Sequence, residues 1–171
     1  MKKLILIRHS KTENLVDGQS DYFRPLKPRG HNDARLIAEK LKEKGLTPDL
    51  LISSPAKRAE QTAQIFAQTF NYPADKIALH QFIYDGYTSG EFVTFLNQQS
   101  DEHELICVIG HNPEIAMLAI NLTDGNFFHF PTTATVVINF HVDSWKEVNS
   151  REGKTDLFIY PKQFKQENSD D

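Results

Sequence analysis

Leu4 to Ile7 is an unbroken apolar run. A strand with no polar position has both faces covered, as in the middle of a parallel sheet. The stretch 10–29 is polar and carries Gly18, Pro25 and Pro28, which predicts a loop. From Gly30 to Lys44 the apolar residues Ala34, Ile37, Ala38 and Leu41 recur at helical spacing, and Gly45 supplies the stop. Leu50 to Ile52 reads as a second short strand. Pro55 to Phe70 reads as a second amphipathic helix, with Ala59, Thr62, Ala63, Phe66, Ala67 and Phe70 on one face. A weak strand is expected at 77–79, and a short helix from Ser89 to Gln98 buries Phe92, Val93, Phe95 and Leu96. Glu104 to Ile109 is a strong strand with a helix, Pro113 to Leu122, behind it. Thr135 to Val142 alternates and is β-branched, and Asp156 to Tyr160 closes the series.

Strands alternating with helices predict an α/β domain, a mostly parallel central sheet flanked by helices. The 171 residues fit one domain, taken as 1–161, followed by a polar tail expected to fray over 162–171. The net charge of −4 argues against nucleic acid as a partner while leaving room for a local positive cleft. The apolar run near the start is too short for a signal core and is cut by Arg8-His9. No stretch is long enough to cross a membrane. With a lone cysteine, Cys107, the chain cannot form an internal disulfide, and a cytoplasmic protein is expected.

In open α/β sheets ligands bind beyond the carboxyl ends of the strands. Three such ends carry unusual residues: Arg8-His9-Ser10, Ser53-Ser54-Pro55 with Arg58, and Gly110-His111-Asn112-Pro113. Ser54 and Asn112 each precede a proline and are expected to cap the helices that follow, presenting free N–H groups suited to an anion. Taken singly, each stretch reads as an ordinary loop or helix start. Taken together they assemble two arginines and two histidines. Arginine binds phosphate oxygens in pairs, one imidazole can attack phosphorus, and the other, held protonated by the anion, can stabilise the moving charge. No His-Glu helix motif and no cysteine cluster points to a metal.

Arg8-His9 after an N-terminal strand, the stretch Ser53 to Ala63 with Arg58, and the late Gly110-His111-Asn112 resemble the histidine phosphatase superfamily, whose members include phosphoglycerate mutases. Arg24-Pro25-Leu26, Arg29-Gly30 and Pro48-Asp49 resemble its SixA-type phosphohistidine phosphatase branch. The resemblance implies a phosphoglycerate mutase-like fold and a transient phosphohistidine on His9, with Arg8, Arg58 and His111 completing the pocket. It implies a general acid near the loop after the third strand, where this sequence offers Asp85. The glutamate usual in the mutases is not evident. Thr132 or Thr133, in a segment that lines the pocket in relatives, would hydrogen-bond the phosphate. Ser10, where relatives often have glycine or alanine, joins the substrate-binding set together with Asn14 and Asn112.

These residues predict a metal-independent, cofactor-free, two-step phosphatase. In the first step His9 attacks as the neutral imidazole, its other nitrogen held by a backbone carbonyl. The short segments between elements predict an open pocket suited to a phosphorylated protein side chain, and phosphohistidine in a protein, whose imidazole departs easily, is the expected substrate and fits the missing glutamate. The alternatives are a small phosphate ester of a sugar or nucleotide, and a module that binds phosphorylated partners without turnover. The sequence leaves the oligomeric state open.

Overall fold

The structure, a computed structural model, describes residues 1–165. Six strands form one sheet in the order β3-β2-β4-β1-β5-β6: β1 is Lys2–Arg8, β2 Leu50–Ser53, β3 Ala78–Leu79, β4 Leu105–Gly110, β5 Thr135–Phe140 and β6 Lys154–Ile159. The pairs β1–β4, β2–β4 and β2–β3 are parallel. β5 is antiparallel to both β1 and β6. It follows that β5 alone runs against the other five.

The helices are α1 (Pro28–Glu43), α2 (Lys57–Phe70), α3 (Gln81–Asp85), α4 (Ser89–Asn97) and α5 (Glu114–Thr123). They cover both faces, which is why β1 is apolar at every central position. Leu4 and Leu6 pack toward α4 and α5 with Ile106, Val108 and Ile115. Ile5 and Ile7 pack toward α1 and α2 with Ile37, Leu41, Phe66 and Cys107. Among the described residues no helix is long and apolar enough to cross a membrane.

Several expectations need adjustment. β5 ends at Phe140, short of Val142, and β6 begins at Lys154. Helix α3 has no counterpart in the sequence reading, because a single turn is too short to show a period. The two helix starts also differ. α2 begins at Lys57 after Ala56, and Ser54 Oγ accepts from the Ala56 N–H at 3.2 Å within the preceding turn. α5 begins at Glu114, and the Asn112 side chain instead donates to the Phe130 carbonyl at 2.9 Å. Both prolines therefore lie ahead of their helices. Of the segment expected to fray, Lys162–Phe164 lies in a 3-10 turn, and Lys165 Nζ is 3.0 Å from the buried Asp33 carboxylate. The remainder, 166–171, lies outside the described residues.

Candidate active site

The carboxyl ends of β2, β4 and β1 lie side by side and level. Arg8 is in register with Gly110, and Ser53 with Ile109. The His9 N–H donates to the Gly110 carbonyl at 3.0 Å, and the Ser54 N–H to the Ile109 carbonyl at 3.1 Å. Because β5 is antiparallel, its start lies against the end of β1. The turn before it is pinned there, with the Thr133 N–H 3.1 Å from both the Arg8 and His9 carbonyls. Thr133 holds φ at 64°, a conformation that a threonine keeps only where its surroundings impose it.

This arrangement brings together Arg8, His9, Arg58 and His111. The two imidazoles lie with ring centroids 5.2 Å apart. His9 is buried, and its Nδ1 lies 2.8 Å from the Ser10 carbonyl. A carbonyl only accepts, so Nδ1 carries the proton and Nε2 keeps a free lone pair. Burial above all, then the charge of His111 and of the two arginines, pushes the His9 pKa well below its ordinary value. His9 is therefore a neutral imidazole at neutral pH.

His111 Nε2 is 2.8 Å from Ser54 Oγ, and its Nδ1 is buried with no partner among the described residues. Burial, followed by the Arg58 guanidinium, pushes His111 down to about 4. By itself the pocket disfavours the imidazolium. Arg8 Nη1 donates to the Phe130 carbonyl at 3.1 Å, and this carbonyl also accepts from Asn112. The Nε atoms of Arg8, Arg24 and Arg58 are all buried without a partner among the described residues. Buried N–H groups left unpaired beside two histidines are what a bound oxyanion satisfies.

Ser10 and Thr133 are fully buried and support the site rather than line it. The Ser10 hydroxyl donates to the Gly30 carbonyl and pairs with Thr133 Oγ1 at 2.7 Å, while the Ser10 N–H donates to Thr62 Oγ1 at 3.0 Å. Thr62 in turn donates to the Arg58 carbonyl at 2.8 Å, which ties the loop after β1 to α2. Asn112 is held to Phe130 as described.

Three expected residues are not brought to the site. Asn14 is exposed in the loop after β1 and makes no hydrogen bond among the described residues. Thr132 faces a separate cleft with Arg29, Asp33 and Tyr160. Asp85 is exposed, and its carboxylate accepts from Gln81 at 3.1 Å on the same helix. Successive helix residues point about 100° apart, and it is Tyr84 that turns inward, its ring centroid 5.7 Å from that of His111.

The residue that the sequence reading missed is Asp21. The bridge between Thr12 and Leu26 closes the loop after β1, and the 3-10 turn Asp21–Phe23 folds back onto α2. Asp21 Oδ2 is 3.0 Å from Arg58 Nη2, and Oδ1 is 2.9 Å from Arg24 Nη2. Arg58 Nη1 also donates to the Asp21 carbonyl at 2.9 Å, and Tyr84 Oη donates to Oδ2 at 3.2 Å. Burial pushes the Asp21 carboxyl up, but the Arg58 and Arg24 guanidiniums pull harder, so it lies below its ordinary value and is ionised at neutral pH. The only hint in the sequence was its place three residues before Arg24, where a stretch that carried the resemblance begins.

The family model of the histidine phosphatase superfamily (branch 1) matches residues 4–79. An uncharacterised protein of Mycobacterium tuberculosis is 33% identical over 116 residues, which are 68% of this chain and 69% of that protein. The phosphohistidine phosphatase SixA of Escherichia coli is 27% identical over 135 residues, 78% of this chain and 82% of that protein. A solved structure of the protein histidine phosphatase SixA complexed with tungstate superposes with a TM-score of 0.79 at 25% identity, covering 95% of this chain and 99% of that one. The sheet with its flanking helices is thus the phosphoglycerate mutase-like fold.

Proposed function

The chain belongs to the histidine phosphatase superfamily, and from that premise we propose that it hydrolyses phosphohistidine in proteins through a phosphoryl group carried transiently on His9. It is a phosphatase; the nucleophile and the substrate are our reading. The observation that carries this reading is the hydrogen bond from His9 Nδ1 to the Ser10 carbonyl, which leaves the Nε2 lone pair free beside Arg8, Arg58 and His111. In the first step Nε2 attacks phosphorus, a bond forms between them, and the bond from phosphorus to the leaving group breaks with its electron pair. In the second step water attacks the phosphorus of phospho-His9, the P–N bond breaks, and phosphate and a proton are released. Arg8, Arg58 and a His111 protonated with the bound anion stabilise the spread charge in both steps.

The choice of leaving group rests on the missing acid. An alkoxide leaving group needs a proton as it departs. Asp85 faces outward, and Asp21, the carboxylate that does reach the site, is ionised by its arginines and has no proton to give. An imidazole leaves without strong acid assistance, so phosphohistidine suits this site better than an ester. The relative named SixA is a phosphohistidine phosphatase, in line with this choice. A buried free thiol, Cys107, suits action in the cytoplasm.

The test is a comparison of kcat/KM for a phosphohistidine-bearing protein with kcat/KM for a panel of sugar and nucleotide phosphates. We expect the phosphoprotein to be preferred by a wide margin. A preference for the esters would instead make the chain a small-molecule phosphomonoesterase.

A further inference from the structure

Three guanidinium groups stand at this site, one more than the pair, Arg8 and Arg58, read as holding the phosphoryl group. Arg8 and Arg58 stand with the two histidines, and Arg24 is joined to Arg58 through the Asp21 carboxylate. In a site for small metabolites, a third arginine would receive a second anionic group of the substrate, such as a carboxylate. Here that position is already taken. Asp21 places one carboxylate oxygen on Arg24 and the other on Arg58, and the second oxygen also accepts the Tyr84 hydroxyl.

We propose that Asp21 is a specificity-determining residue of the phosphoryl site. By occupying Arg24 and the outer edge of Arg58, it repels substrates that carry a second negative charge beside the phosphoryl group and admits phosphoryl groups borne on uncharged or cationic carriers. The proposal rests on reading the site as a phosphoryl site, and it narrows the substrate class of that site. The carboxylate is a fixed feature of the wall. The Ser20 side chain caps its turn, and Arg58 grips the Asp21 backbone carbonyl as well as the side chain, so moving the charge aside means breaking several bonds at once. Phosphohistidine meets the requirement, since its ring is neutral or, when protonated, positive. A phosphorylated hydroxy acid does not.

The test uses two ligands of one carbon skeleton, glycerol 3-phosphate and 3-phosphoglycerate, which differ in a hydroxymethyl group against a carboxylate. Their dissociation constants are measured by calorimetry at low ionic strength, in a His9→Ala background so that neither is turned over. With Asp21 in place, glycerol 3-phosphate should bind the tighter. Asp21→Asn should narrow the ratio by about tenfold, the order expected for one like charge at a partly exposed position. Asp21→Ser should do the same. Asp21 is only half-buried on a surface turn, so neither substitution threatens the core. A general loss of site geometry weakens both ligands alike and cancels in the ratio. If both ligands bind and the ratio is unchanged in both variants, Asp21 merely anchors the loop and the proposal is overturned. If neither ligand binds any of the proteins, the phosphoryl-site reading falls and this proposal with it.

Discussion

Replacing Ser10 by alanine separates what supports the phosphate site from what reacts in it. The Ser10 side chain is fully buried, and its hydroxyl joins the Gly30 carbonyl to the Thr133 hydroxyl. Alanine removes both hydrogen bonds. The Gly30 carbonyl keeps its place in the α1 ladder, but the Thr133 hydroxyl is left buried with no other partner among the described residues. A lost buried bond with one orphaned group costs about 1–3 kcal/mol. For a domain of this size each kcal/mol moves the melting temperature by roughly 2–4 °C. Taking about 2 kcal/mol, the variant should melt ~4–8 °C lower. Catalysis should survive, because His9 is held by the Ser10 carbonyl and the loop by the Ser10 N–H, both of which alanine keeps. Thermal denaturation and kcat/KM, measured on one preparation, check both halves. We expect kcat/KM within about threefold of wild type, less than 1 kcal/mol of transition-state stabilisation. An unchanged melting temperature with a large loss of activity would refute the reasoning and make Ser10 a substrate contact.

Two further outcomes follow from the same geometry. A Cβ on Gly30 would overlap the Lys11 carbonyl oxygen, a backbone atom with little room to give. Gly30→Ala should therefore lose about 1–3 kcal/mol or more of stability. It should also lose activity, since Lys11 is two residues from His9; full activity at an unchanged melting temperature would contradict this. Binding of a phosphate analogue should be accompanied by proton uptake. His111 is pushed down to about 4, so at pH 6 it is neutral. A bound dianion favours the imidazolium and raises that value. Titrating tungstate at pH 6 in buffers of different ionisation enthalpy should reveal uptake approaching one proton per site, and zero uptake would remove His111 as the charged partner.

Much of the site was legible in the sequence because it rests on strand ends. The apolar run 4–7 fixed β1 in the sheet centre, and the strand before Gly110 was equally apolar, so Arg8-His9 and His111 had to emerge at the same edge. Arg58 followed from the helix after β2. What could not be read was direction and partnership. Ser54 and Asn112 have the right chemistry for helix caps, but tertiary neighbours, His111 and the Phe130 carbonyl, claim their side chains. Choosing between Tyr84 and Asp85 required the face of a one-turn helix, and so short an element shows no period from which to choose. Asp21 lies in a polar loop where any acid reads as solvated. Only the fold-back of that loop onto α2 puts it against Arg58.

The central claim is that His9 carries the phosphoryl group. The direct measurement is a rapid quench of wild-type protein turning over a labelled phosphoryl donor, into alkali, where phosphohistidine survives, followed by peptide analysis. The account predicts a label on the peptide containing His9, absent in His9→Ala, which should turn over at a small fraction of the wild-type rate. Wild-type protein that never carries the label, together with His9→Ala turning over normally, would contradict it.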